Sequence, residues 1–159
     1  MFAAMVVALA VPSPEAVAAP VLVFIEPQDV SYLWLNAGFE TVHFDRHAGL
    51  NGNNLGVGAE YQFSTVSSLT AGIFNNSNRL RSRYAGMYYQ PIEFYGAHLG
   101  VVAGAFDGYP KMRAGGWFPA ILPMVTFEGD QFGLNVAIVP SYKNRLYGGI
   151  SFQVKLRAF

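Results

Sequence analysis

Apolar and polar residues alternate with a period of two in several separate segments of this chain. From Leu55 to Phe63 every second residue is apolar, and glycine, Glu60 and Gln62 occupy the positions between. Successive side chains of a β-strand point to opposite faces, so each segment predicts a strand with one apolar face and one small or polar face. The pattern predicts eight strands, at residues 32–43, 55–63, 69–75, 84–90, 96–105, 120–128, 132–139 and 146–158.

The small or polar face of these strands distinguishes between two all-β architectures, a soluble sandwich and a membrane barrel. A soluble sandwich packs its apolar faces inward, whereas a membrane barrel turns its apolar face to lipid and keeps a small or polar face in its lumen. The connections also alternate in length, and bacterial barrels have outer loops that are longer than their periplasmic turns. The longer connections are 44–54, 76–83, 106–119 and 140–145. We therefore predict an all-β fold, an eight-stranded antiparallel transmembrane β-barrel whose lumen admits side chains or one slim ligand but is not a pore.

The composition of the chain supports a barrel and excludes some classes of partner. The chain is 52% hydrophobic and 13% charged, with no net charge, whereas a charged fraction of ~25% is usual. No apolar run of ~18 residues follows the N-terminal region, which argues against a spanning helix. Neutral charge argues against nucleic acid as a partner. The absence of cysteine and the three scattered histidines predict no metal site. We expect a membrane monomer without a cofactor.

The N-terminal residues resemble an export signal. Residues 1–11 are apolar, and residues 16–18 (Ala-Val-Ala) have the small-x-small pattern of a cleavage site. The positive charge that usually begins such a signal is missing, and an ordinary buried segment is the alternative. We predict a signal peptide at 1–18 and a single barrel domain at 19–159 in the bacterial outer membrane. The terminal Phe159 resembles the assembly signal of outer-membrane proteins.

Two prolines interrupt the predicted barrel wall. Pro123 lies within the sixth predicted strand and Pro140 follows the seventh, nearly symmetric about the turn at 129–131. Proline has no amide hydrogen to donate to a ladder. We therefore expect the pairing between these strands to be lost near their outer ends, while the other pairs stay regular. The gap is interpreted either as a lateral gate for a lipid chain or as a pair of frayed strand ends.

The same prolines take part in a resemblance to a known family. The segments that carry it are 71–77, 98–104, 118–123 (Phe-Pro-Ala-Ile-Leu-Pro) and 136–140 (Val-Ala-Ile-Val-Pro). Over residues 34–159 the chain resembles the PagP lipid A palmitoyltransferases. The resemblance implies an outer-membrane barrel that transfers an acyl chain from a phospholipid to lipid A, the anchor of lipopolysaccharide. The family's amphipathic N-terminal helix is replaced by an apolar stretch at 21–25 that looks extended.

By position, the resemblance implies a catalytic site made of His43, Asn76 and Ser77. A histidine beside a serine can activate the hydroxyl for acyl transfer. Asn76 stands where the family has an aspartate, so restoring the carboxylate with Asn76→Asp is expected to raise the rate. His43 falls on the lipid-facing parity of the first strand, which leaves His47 as a rival base and Asp45 as a nearby carboxylate.

Two further features concern lipid binding. The resemblance implies that Tyr88 stands where the family has a glycine at the floor of its acyl pocket, and parity points the ring inward. We therefore expect a pocket shallower than one for palmitate; the alternative is that Tyr88 fills a solid core. The outer loops also carry cations suited to contact with lipid phosphates, with Lys and Arg of the 140–145 connection nearby. These candidates are Arg79, Arg81 and Arg83.

Two carboxylates are predicted to lie in the lumen, because Glu40 and Glu60 fall on the inward parity of the first two strands. Buried carboxylates need partners, which Lys155 or Arg157 of the last strand can supply. Two functions remain open from the sequence. One is a phospholipid-to-lipid A acyltransferase, and the other is a non-catalytic eight-stranded barrel with a structural role or a role in binding through its loops.

Overall fold

Nine antiparallel strands are present in the part of the chain that the structure, a computed structural model, describes: residues 22–143 and 145–159. The predicted signal peptide at 1–18 lies outside the described residues. The strands are β1 Leu22–Phe24, β2 Asp29–His43, β3 Asn53–Ser64, β4 Ser67–Asn75, β5 Arg81–Phe94, β6 Ala97–Phe106, β7 Phe118–Glu128, β8 Phe132–Val139 and β9 Gly149–Arg157. A short 3₁₀-helix covers Arg113–Gly115.

Strands β2 to β9 close into a barrel. Each pairs with its neighbours in the chain, and β2 also pairs with β9. The predicted eight-stranded antiparallel barrel is therefore confirmed, with some strand ends shifted. For example, β5 extends to Phe94, and β9 begins at Gly149 because Leu146 makes only an isolated bridge with Tyr142. No helix in the described ranges is long and apolar enough to cross a membrane.

Strand β1 lies outside the closed ring and pairs with the last residues of β5, where Phe24 is opposite Ile92. The segment after β1 is held by the β3–β4 turn, since Thr65 N donates to Gln28 O at 2.9 Å. The extended conformation expected for residues 21–25 is thus confirmed over 22–24, the part of that stretch that forms β1.

The two faces of the barrel wall differ as the alternation predicts. In β3, Leu55 and Val57 are 66% and 59% exposed, whereas Asn54 and Glu60 are each 2% exposed. An apolar outer surface of this kind suits a lipid environment. The connections alternate as well, which gives the barrel a loop end and a turn end. The loop end carries 44–52, 76–80, 107–117 and 140–148, and the turn end carries 65–66, 95–96 and 129–131.

Polar side chains fill the half of the lumen nearer the turn end. Lys155 is buried, and its Nζ lies 2.8 Å from Glu60 Oε1 and 2.6 Å from Glu128 Oε1. Asn135 Nδ2 donates to Glu60 Oε2 at 3.1 Å. These four residues are called the polar plug below. The predicted pairing of Glu60 with Lys155 is confirmed, whereas Arg157 stacks on two aromatic rings instead. Buried charges persist only when they are paired in this way.

Aromatic rings line the other half of the lumen. Four of them meet there, with centroids between 5.0 and 6.2 Å apart: Phe39, Phe74, Tyr84 and Phe106. The ring of Tyr84 lies over the neighbouring strands at Gly72 of β4 and Gly58 of β3, where an added Cβ would lie 2.6 and 2.2 Å from the tyrosine oxygen. The glycines of the inward face therefore make room for large rings.

A β-bulge in β2 changes which of its residues face the lumen. The pairing of β2 with β3 shifts between Ala37 and Phe39, and beyond it the inward positions change from even to odd numbers. One extra residue reverses the parity of all that follow. Two sequence predictions are wrong for this reason. Glu40 is exposed rather than in the lumen, and His43 is buried, at 9% exposed, rather than facing lipid.

Candidate functional site

His43 and Ser77 form a hydrogen-bonded pair at the loop end of the barrel. His43 is the last residue of β2, Ser77 lies in the loop after β4, and His43 Nε2 is 2.8 Å from Ser77 Oγ. An unprotonated Nε2 accepts the hydroxyl proton and so turns the serine into a nucleophile. The bulge in β2 makes this contact, since it turns His43 inward. The structure thus brings together two of the three residues that the resemblance implied.

The rival base and the nearby carboxylate lie elsewhere. His47 is exposed, and its backbone N donates to Asp45 Oδ1 at 3.0 Å. Among the described residues no carboxylate hydrogen-bonds His43. The pair is therefore a His–Ser dyad, without the third residue that orients the histidine in a Ser–His–Asp triad.

Asn76 makes its contacts with the loop that presents Ser77. Its side chain is fully buried, and Oδ1 accepts from the backbone N–H groups two and four residues on, at 2.9 and 3.1 Å. Its Nδ2 donates to Ser82 Oγ and to Gly108 O, both at 2.8 Å. None of the described contacts joins Asn76 to His43. An amide fits this position because it both donates and accepts, whereas an ionised carboxylate only accepts.

The beginning of β5 is tied to the β6–β7 loop. Asp107 accepts from Arg83 N at 2.6 Å and from Arg83 Nε at 2.7 Å. Burial alone would raise the pKa of the Asp107 carboxyl, but the hydrogen bonds and the charge of Arg83 outweigh it and lower that pKa from its usual value. Gly108 has φ +80°, and a Cβ there would lie 2.2 Å from Arg81 O. Only glycine fits this close contact between the β6–β7 loop and the beginning of β5.

An apolar cavity of about 70 Å³ adjoins the dyad. A second cavity of about 40 Å³ lies deeper, and the two have several lining residues in common. The shared residues are Phe39, Phe106, Leu122, Ala137 and Ser151. Tyr88 lines the deeper cavity and points inward as predicted, being 4% exposed. Asn135 of the polar plug also lines it. The lumen therefore keeps a hollow above Tyr88, and the polar plug limits its depth.

The wall between β7 and β8 is unpaired next to this cavity. The ladder runs from Glu128 opposite Gly133 to Met124 opposite Ala137 and stops there, although both strands continue toward the loop end. The next residue of β7 is Pro123. The neighbouring ladders, β6–β7 and β8–β9, remain paired along this stretch. The predicted loss of pairing near the outer ends of these two strands is confirmed.

The two prolines are offset rather than opposed. Continuing the register beyond Met124 and Ala137 places Ile138 opposite Pro123, and Pro140 two positions further along. The expectation that all other pairs are regular is wrong, because register shifts occur in β2–β3, β2–β9, β3–β4 and β5–β6. Those ladders resume beyond the shift, however, whereas β7–β8 does not.

None of the three arginines that were predicted to contact lipid phosphates lines the cavity beside the dyad. Arg83 is engaged by Asp107, and Arg79 Nη1 donates to Gly49 O at 3.3 Å. Arg81 lies on the exposed face of β5. A different arginine, Arg145, lines the cavity together with His43 and Ser77. The sequence marked Arg145 only as a nearby cation, because its place at the cavity depends on how the 140–148 loop folds back.

Comparison with known proteins adds no family assignment. The sequence matches no family model, and no curated protein matches it. The resemblance to the PagP enzymes remains a prediction, and the function is argued from the dyad, the cavity and the unpaired wall.

Proposed function

We propose that this protein is an outer-membrane acyltransferase that moves an acyl chain from a phospholipid to lipid A. The observation that carries the proposal is the 2.8 Å contact between His43 Nε2 and Ser77 Oγ beside an apolar cavity. Leu122 and Ala137 line that cavity and belong to the strands that part at Pro123. A lipid in the bilayer meets this unpaired wall from the side, so its acyl chain can reach the lumen without crossing water.

The dyad supports transfer in two balanced steps. Ser77 Oγ attacks the ester carbonyl carbon of the phospholipid while His43 Nε2 takes the hydroxyl proton. The ester C–O bond then breaks, the lysophospholipid leaves with that proton, and the acyl group remains on Ser77. In the second step a lipid A hydroxyl attacks the acyl-serine and gives its proton to His43. Ser77 Oγ leaves and recovers that proton.

The cavity supports an aliphatic substrate of limited length. Its walls are mostly apolar, and each methylene moved from water into such surroundings contributes about 0.8 kcal/mol. Tyr88 and the polar plug lie at the deep end, so chain length has a limit fixed by side chains. We expect that limit to exclude palmitate and to favour shorter chains.

The apolar outer surface of the barrel supports a location in a membrane. Apolar side chains such as Leu55 and Ile121 are 66% and 69% exposed, which is costly in water but favourable against lipid. Arg81 adds positive charge on the outside of β5 near the loop end, whereas the charge of Arg83 is paired with Asp107. That position suits contact with the phosphates of lipopolysaccharide, the acceptor in this proposal.

The decisive experiment is acyl transfer by the purified protein in maltoside detergent. Phospholipids with defined chains serve as donors, lipid A serves as acceptor, and the products are read by mass. His43→Gln should lower the rate by a factor of about 100 or more, the usual contribution of an acid–base group. Ser77→Ala removes the nucleophile and should lower the rate at least as far.

Matched controls come from the same chain. Ser31→Ala changes an exposed serine near the turn end, and His47→Gln changes the exposed histidine of the 44–52 loop. Both should keep the wild-type rate. A wild type that transfers nothing to any lipid A would instead support the non-catalytic barrel. Loss of activity in His47→Gln but not in His43→Gln would make His47 the base.

A further inference from the structure

Arg145 carries the positive charge of the dyad's cavity. It lines the same hollow as His43 and Ser77, and that lining contains no aspartate or glutamate. The buried carboxylate of the neighbouring 107–117 loop, Asp107, is engaged by Arg83. A guanidinium stays protonated at any physiological pH. Arg145 is also exposed, so it lies on the solvent side of the cavity, called the cavity mouth below. The mouth is therefore cationic, and none of the residues that line the cavity is acidic.

A second cation stands at the same mouth. Lys111 Nζ donates to Tyr147 Oη at 3.4 Å and lies 5.4 Å from the centre of that ring, and Tyr147 also lines the cavity. Lys111 belongs to the loop that leads into β7, and Tyr147 to the loop that follows β8. Both loops thus flank the loop end of the unpaired wall. Positive charge is concentrated where the proposed donor would pass.

We infer that Arg145 binds the phosphate of the donor phospholipid and makes the site prefer donors that carry one. This inference rests on the proposed function. In a glycerophospholipid only the glycerol backbone separates the ester carbonyl from the phosphate. A donor with its carbonyl at Ser77 and its chain in the apolar cavity keeps its phosphate at the mouth, where Arg145 lies. The planar guanidinium matches two phosphate oxygens with paired donors.

Arg145 acts on the donor, whereas the arginines of β5 face the outside of the barrel. The two groups therefore have separable roles. Loss of Arg145 should weaken donor binding and raise KM for phospholipid, with little change in kcat, since Arg145 has no contact with His43 or Ser77 among the described hydrogen bonds.

The test is equilibrium binding of two lipids that cannot react. The first probe is a diether phosphatidylglycerol, and the second is a dialkylglycerol with the same chains and no phosphate. Binding is measured by calorimetry in maltoside micelles, which contain no phosphate. Wild type should bind the phospholipid about tenfold more tightly than the dialkylglycerol, as one charge-assisted contact allows. Arg145→Gln should abolish that preference, and Arg145→Lys should keep part of it.

Lys143→Gln is the matched control, since Lys143 lies in the same loop and stacks on Tyr142 rather than lining the cavity. It should keep the tenfold preference. Equal preference in wild type and Arg145→Gln, or its loss in Lys143→Gln as well, would overturn the assignment. The probes need no catalysis, so a protein that transfers no acyl chain but shows this pattern would disprove the proposed function and leave the Arg145 site standing.

Discussion

Asn76 shows how far the contacts of one residue can depart from what its place in the chain implies. The resemblance puts Asn76 beside Ser77 in the catalytic site. In the structure its amide is buried and joins its own loop to Gly108, while His43 meets Ser77 without it. The sequence could pair Asn76 with its neighbour Ser77, but the contact with Gly108 spans 32 residues of chain. No local pattern signals such a contact.

Asn76→Asp is therefore expected to lower the rate of acyl transfer, which reverses the expectation drawn from the resemblance. A carboxylate cannot donate to Ser82 Oγ or Gly108 O, and it would repel that carbonyl oxygen. Leaving such buried groups unsatisfied costs about 2 kcal/mol. Thermal unfolding and the transfer assay measure both effects, with the exposed Asn53→Asp as control. A variant faster than wild type would contradict the structural role.

Tyr88 lines the deeper cavity and is the residue at which the proposed limit on chain length can be tested. Tyr88→Gly should extend the deeper cavity and shift the preferred donor to a longer chain, leaving His43 and Ser77 untouched. The loss of a buried aromatic ring should also lower stability by about 3–5 kcal/mol. Tyr88→Phe keeps the ring and should keep the wild-type preference. A mixture of phospholipids competing in one assay reads the preference directly, and an unchanged preference in Tyr88→Gly would exclude Tyr88 as the floor.

At the scale of single strands, the alternation of apolar and polar residues with a period of two predicted the existence and order of β2 to β9 well. The alternation also placed Glu60 and Lys155 inside, where they pair. It failed beyond the bulge of β2, because one inserted residue reverses parity without changing the composition of the strand. The error fell on His43, the residue that matters most for the site. Bulges near functional sites re-aim side chains in this way, so a residue of unexpected parity is a reason to suspect one.

Pro123 in β7 and Pro140 just after β8 provide the test at the scale of the strand pair. The double variant Pro123→Val with Pro140→Val supplies two amide hydrogens, so the ladder should extend toward the loop end. Amide exchange should then slow in this stretch, and acyl transfer should slow with it. Pro91→Val, in β5 near the turn end, is the control. Slower exchange with an unchanged transfer rate would show that lipid does not pass between β7 and β8.

At the scale of the whole molecule, the closed ring and its apolar outer surface predict a protein that needs detergent. Unboiled samples should migrate differently from boiled ones on gels, and circular dichroism should be dominated by strand. The reason is that a closed ring leaves no free strand edge apart from the gap between β7 and β8, so the ring opens only at high temperature. A monomer that stays soluble without detergent would contradict membrane insertion.

The polar plug also predicts that the barrel does not conduct ions. Lys155 forms ion pairs with Glu60 and Glu128 across the lumen, and all three side chains are buried or nearly so. A hydrated ion therefore cannot pass through that half of the barrel. Many copies in a membrane should then leave its permeability to salts unchanged. If the proposed function holds, the same closure means that an acyl chain that has entered between β7 and β8 finds no exit at the turn end of the lumen.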